Sequence, residues 1–133
     1  MLLPASAHGQ SEEPVLTGRM AIERIIGNTL VLTPAKPDPA INIKSFAYFS
    51  PDGRAAMQIT VSDPASTAEK KTSEEGDWSI DDQGRLCVVK EGGIVGDHDC
   101  AGMTVTGNTV RSMPKYIFEG AIVTLVEGNP HGL

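Results

Sequence analysis

Gly76-Asp-Trp-Ser-Ile-Asp-Asp-Gln-Gly-Arg-Leu-Cys-Val-Val-Lys-Glu-Gly-Gly-Ile-Val-Gly-Asp-His-Asp-Cys100 holds the only tryptophan of the chain and both of its cysteines. Trp78 and Ile80 alternate with Asp77, Ser79 and Asp81, the period of two that marks a half-buried strand. Asp81 to Gly84 is a run of turn formers ending on glycine, where a positive φ costs least. Arg85 to Glu91 reads as the returning strand, with Leu86 and Val88 on one face and Cys87 and Val89 on the other. A glycine-rich loop, Gly92 to Asp97, follows, and a third strand starts near Asp99. With Ala101, Met103 and Val105 facing the core beside Leu86 and Val88, Cys87 and Cys100 share the opposite face. Cysteines so placed on adjacent antiparallel strands meet the distance limits of a disulfide, and a Cys87–Cys100 bridge is expected. It would close a loop of about 14 residues and stabilise by roughly 3 kcal/mol. The alternative is two separate buried thiols.

Working outward, Arg54 to Ser62 alternates cleanly, with Ala55, Met57, Ile59 and Val61 on one face. Ser50-Pro51-Asp52-Gly53 is a strong turn signal joining it to Ile41–Phe49, the most aromatic run. Asn28 to Thr33 is a strand closed by Pro34, and Pro37-Asp38-Pro39 belongs to a loop. Gly107-Asn108 turns the chain between Met103–Thr106 and Thr109–Met113. Pro114-Lys115-Tyr116 breaks the pattern, and Ala121 to Glu127 is the last strand. Between Thr17 and Ile26 the spacing of Met20, Ile22, Ile25 and Ile26, with Leu16 behind them, fits a short amphipathic helix capped by Thr17 and ended at Gly27. Asp63 to Glu75 is polar and reads as an exposed loop. The fold class is therefore all-β: an antiparallel up-and-down β-barrel of seven to eight strands with one short N-terminal helix. Closing on itself buries the edges of such a meander.

A chain of 133 residues, 40% hydrophobic and 21% charged, fits one globular domain, placed at 14–133. A formal net charge of −6 and pI near 4.9, with Lys70-Lys71 answered by Glu74 and Glu75, argue against nucleic-acid binding. No transmembrane segment is expected, because no apolar run is long enough. Residues 1–13 read as a signal-peptide remnant or flexible tail: an apolar start precedes Ala5-x-Ala7, a small-residue cleavage pattern. Export to the periplasm or outside the cell would also account for an even cysteine count.

Several pieces, in order, carry a resemblance: Gly27-Asn28-Thr29-Leu30, Tyr48-Phe49-Ser50-Pro51-Asp52-Gly53-Arg54, Gly76-Asp77-Trp78-Ser79-Ile80 and Arg85-Leu86-Cys87, with a second cysteine in the next strand. The chain resembles small exported bacterial proteins with a lipocalin-like, or calycin-like, β-barrel. The resemblance implies a fold and export, and it brings no catalytic residue.

Candidate chemistry is sparse. Asp97-His98-Asp99-Cys100 could bind a divalent metal or tune a proton-transfer histidine, but neighbours in a strand point to opposite sides, so a solvated turn before the bridge is the expectation. The three histidines show no zinc spacing, and there is no Cys-x-x-Cys, so no metal site is expected. There is no Gly-x-Ser-x-Gly elbow, and the paired aspartates at 81 and 82 suit a turn. Met20, Met57, Met103 and Met113 do not cluster as copper ligands would, and core packing is expected of them. No catalytic residue and no cofactor is expected, and enzyme activity, with His98 as base, is the least favoured reading.

The barrel interior remains. The interior of an eight-stranded barrel is just large enough to be filled by side chains or to hold one small ligand. Few bulky aromatics are available to fill it, and a packed core and a residual cavity stand level as expectations. The leading expectation is an exported, non-catalytic binding protein that holds a small apolar or amphipathic molecule against Tyr48, Met57, Ile59, Trp78 and Met103. The alternative is an interaction or inhibitor module acting on another exported protein through Asp63–Glu75 or Gly92–Asp97.

Overall fold

A computed structural model of the chain describes residues 14–66, 68–113 and 120–133. The expected signal remnant at 1–13 and the break at Pro114–Tyr116 lie outside the described residues. The elements run β1 (Val15–Thr17), α1 (Gly18–Ile25), β2 (Thr29–Pro34), β3 (Asn42–Phe49), β4 (Arg54–Ser62), β5 (Glu69–Ile80), β6 (Leu86–Lys90), β7 (Cys100–Thr106), β8 (Thr109–Met113) and β9 (Ala121–Val126).

From β2 to β9 each strand pairs antiparallel with the next, and β9 returns to pair with β2. These eight strands close a barrel in up-and-down order, as the alternation and tight turns predict. The β8–β9 seam is the thinnest, with Thr109 opposite Thr124 and the Leu125 N–H donating to the Asn108 carbonyl at 2.7 Å. β1 adds a short ninth strand, placing Leu16 opposite Val105 on β7.

α1 stoppers one end. Ala21, Ile22 and Ile25 are wholly buried and join Leu30, Phe49, Leu86, Met103, Val105 and Leu125 in one apolar cluster. Gly27, in the left-handed region at φ 83°, lets the chain leave the helix, and its N–H donates to the Phe49 carbonyl at 2.7 Å. Thr29 Oγ1 donates to the Gly128 carbonyl at 2.7 Å, and Asn28 Oδ1 accepts from the Gly128 N–H, which fixes the start of β2 to the end of β9.

Three local expectations are corrected. Asp63–Glu75 is not a loop throughout: β5 starts at Glu69 and pairs with β4 from Glu69 to Asp77, so residues 69–75 gain strand structure from their partner despite their polarity. Thr17 stands at the N-cap of α1, but its side chain makes no capping hydrogen bond. Of the methionines expected in the core, Met103 is buried, whereas Met20, on the outer side of α1, is 63% exposed and Met113 is 70% exposed. The C-terminal tail folds back onto the outside of the barrel, where the His131 ring lies 3.8 Å from that of Phe46.

Candidate functional site

Register decides which side chains face inward, because directly paired residues share a face. One rung runs Phe49–Ala55–Gly76–Lys90, and the next runs Leu30–Ala47–Met57–Glu74. A third carries Trp78, Val88 and their neighbours. Small residues at 47, 55 and 76 on three adjacent strands leave the interior short of side-chain volume at this level.

The result is a cleft of about 540 Å³ in the barrel wall and interior, floored by Ala47, Phe49, Ala55, Met57 and Val88. Ala56, Gly76 and Val89 also line it, and Glu74, Glu75, Lys90 and Asp99 bring charge to it where β6 ends and β7 begins. Gly76 is needed here for a specific reason. A Cβ at this position would lie 2.2 Å from the Val89 carbonyl oxygen, so only glycine lets β5 and β6 approach so closely. Met57 is 37% exposed and Val88 39%, both open to solvent through the mouth, whereas α1 seals the other end. The volume falls in the range of small-molecule sites, which run from about 300 to 1,000 Å³.

The five residues expected to hold a ligand are only partly brought together. Met57 lines the cleft. Ile59 and Met103 share the inward register, Ile59 opposite Ser45 on the stretch beyond the cleft and Met103 in the packed core. Trp78 also faces inward beside Val88, but its Nε1–H donates to the Ser50 carbonyl at 2.7 Å, which ties it to the β3–β4 turn. Tyr48 pairs with Thr29 and Ala56 on the outward register, away from the other four. Sequence reasoning missed Glu74 and Lys90 at the mouth. The clue was the set of small residues at 47, 55 and 76, unreadable until β5 had a register.

Cys87 and Cys100 stand directly opposite each other on β6 and β7 and form a disulfide on the outer register, buried. Beside it, Asp81 accepts from the N–H of Arg85 at 2.8 Å, from Arg85 Nε at 2.7 Å and from the Gln83 N–H at 3.0 Å. The Arg85 N–H, then its guanidinium and the Gln83 N–H, hold the Asp81 carboxyl below its usual pKa. Arg85 Nη2 reaches on to Asp97 at 2.7 Å, and the two carboxylates, Asp97 first, raise the guanidinium pKa further. Asp81 and the two cysteine sulfurs lie within 4.8 Å of one another. The bridge uses both sulfurs and the arginine uses the carboxylate, so their chemistry is that of a clasp rather than a metal centre. His98 sits in a 3-10 turn, Asp97–Asp99, its Nε2 3.5 Å from Asp99 and its side chain 85% exposed. That is the solvated turn the sequence suggests.

The chain matches no protein-family model and no curated protein sequence. Its class rests on structure: a small closed β-barrel, bridged by a disulfide, stoppered at one end and cleft at the other. Among the described residues no helix is long and apolar enough to cross a membrane.

Proposed function

We propose that the protein is an exported, non-catalytic binding protein that holds a small amphipathic molecule in the cleft. The observation that carries this reading is a 540 Å³ cleft with a floor of methyl, thioether and phenyl groups and charged residues at its mouth. An apolar body would lie against Ala47, Ala55, Met57 and Val88, and the polar head would meet Glu74 and Lys90. Met57 forms the wall, Trp78 and Met103 back it within the barrel, and Ile59 extends the apolar face outward. The disulfide supports export, since such bridges persist in oxidising compartments. Membership of the lipocalin-like exported proteins is proposed on the same grounds, the barrel being the shared feature.

Titrating the protein with a zwitterionic dodecyl amphiphile tests this, read by Trp78 fluorescence through its neighbour Val88. Saturable binding is expected, and Met57→Glu, which puts a carboxylate on the apolar floor, should weaken it at least about tenfold. A flat response, or equal affinity in the variant, counts against the proposal.

A second reading, an interaction or inhibitor module, is favoured by one observation: Ile94 in the β6–β7 loop is 94% exposed, with Val95 beside it. Co-purification from a periplasmic extract that is lost in Ile94→Ser would favour it over the cleft.

A further inference from the structure

We propose that two copies of the chain pair through the free edge of β5, residues 69–75, antiparallel and centred on Thr72. β4 covers one edge of β5 from Glu69 to Asp77, but β6 reaches the other edge only from Gly76 onward. Among the described residues no strand pairs with the second edge between Glu69 and Glu75, and all of these residues are exposed. The Trp78 N–H donates to the Gly53 carbonyl on the β4 side. Alternation along the strand therefore turns the N–H and C=O groups of Glu69, Lys71, Ser73 and Glu75 toward the open side. An unpaired row of this length is a template for another strand.

The charge order says which strand fits. A two-fold axis normal to the sheet keeps inner faces with inner faces, so residues of equal parity meet. Centred on Thr72, the segment Glu69-Lys-Lys-Thr-Ser-Glu-Glu75 sets Lys70 opposite Glu74 of the other copy, twice. It also sets Lys71 opposite Ser73, with no like-charge clash, and Thr72 opposite itself, a favourable cross-strand pair. Glu69 meets Glu75 at the two ends, where each already has a cation: Lys71 Nζ is 3.8 Å from Glu69 and Arg54 Nη2 is 3.7 Å from Glu75. Sliding by two residues one way sets Lys71 against Lys71. Sliding the other way runs the pairing into Gly76 and Asp77, which β6 already holds. The charged edge thus disfavours uncharged strands and admits a second copy of itself. Glu74 also lines the cleft, so ligand binding and pairing share that side chain, whereas Lys70 and Ser73 lie outside the cleft lining and test the pairing separately.

Sedimentation equilibrium of the full chain should give twice the 14.1 kDa mass at high concentration. Ser73→Pro removes an N–H that faces the open edge, where proline is tolerated, and should leave a monomer with unchanged circular dichroism. Lys70→Glu and Glu74→Lys should each weaken dimerisation about tenfold, since each turns two attractive pairs into repulsive ones. Combining them should restore it. If Ser73→Pro does not fold, the charge swap decides. A wild-type monomer at every concentration, a dimer indifferent to Ser73→Pro, or a double variant no better than the singles overturns the proposal.

Discussion

Replacing Cys87 and Cys100 together by alanine removes the tie between β6 and β7, and its cost can be worked from the chain. The bridge spans a sequence separation of 13. In the chain-entropy model, releasing a loop of that size lowers stability by about 3 kcal/mol. The two sulfurs are also buried, and their loss adds on the order of 1 kcal/mol from packing. The site is sensitive because β6 and β7 are registered at just two pairs, Leu86–Ala101 and Cys87–Cys100. Equilibrium urea unfolding by circular dichroism measures the effect. With a slope of about 2 kcal/mol per molar, the midpoint should fall by roughly 1.5 to 2 M. A loss below about 1 kcal/mol would mean that the bridge constrains neither the unfolded chain nor the barrel wall, and would refute this reasoning.

Gly76→Ala should destabilise by about 1–3 kcal/mol, because its Cβ collides with the Val89 carbonyl, whereas Gly102→Ala, whose nearest neighbour would be 3.7 Å away, should cost far less. Differential scanning calorimetry separates the two. Ile25→Ala empties a wholly buried position on α1 and should cost about 2–5 kcal/mol, against less than about 0.5 kcal/mol for Met20→Ala on the exposed side of the same helix. The Asp81 carboxyl has a folded pKa below its ordinary value of 3.8, so its contribution is present above that value and is lost as the pH falls through the folded pKa. Asp81→Asn should therefore be less stable than wild type near about pH 7 and converge toward it near about pH 3 in urea unfolding; a constant gap would contradict the assignment.

Much of the barrel was legible in the sequence where burial and alternation coincide. Ala55, Met57, Ile59 and Val61 face inward as read, β4 has the bounds expected, and Gly107-Asn108 makes the β7–β8 turn. The cysteine pairing followed from the same alternation on β6 and β7. What escaped has physical causes. Residues 69–75 hydrogen-bond on one edge only and bury little, so nothing in their composition distinguishes a strand from a loop; the pairing with β4 makes the difference. β1 is three residues long and is fixed by β7 rather than by its own propensity. Tyr48 lies beside Phe49 in the chain, and which of them faces the core depends on a one-residue choice of register that two adjacent aromatics leave open. The cleft is made by small residues and by the end of β6, and a missing side chain leaves little trace in a sequence.

Methyl-resolved NMR of the whole protein, titrated with a zwitterionic dodecyl amphiphile, locates a bound molecule residue by residue. Binding in the cleft shifts the methyl signals of Ala47, Ala55, Met57 and Val88 in a saturable way and leaves Met20 unmoved. Unmoved cleft methyls, or shifts confined to surface positions such as Ile94 and Met113, would show that the cleft is not where this protein binds.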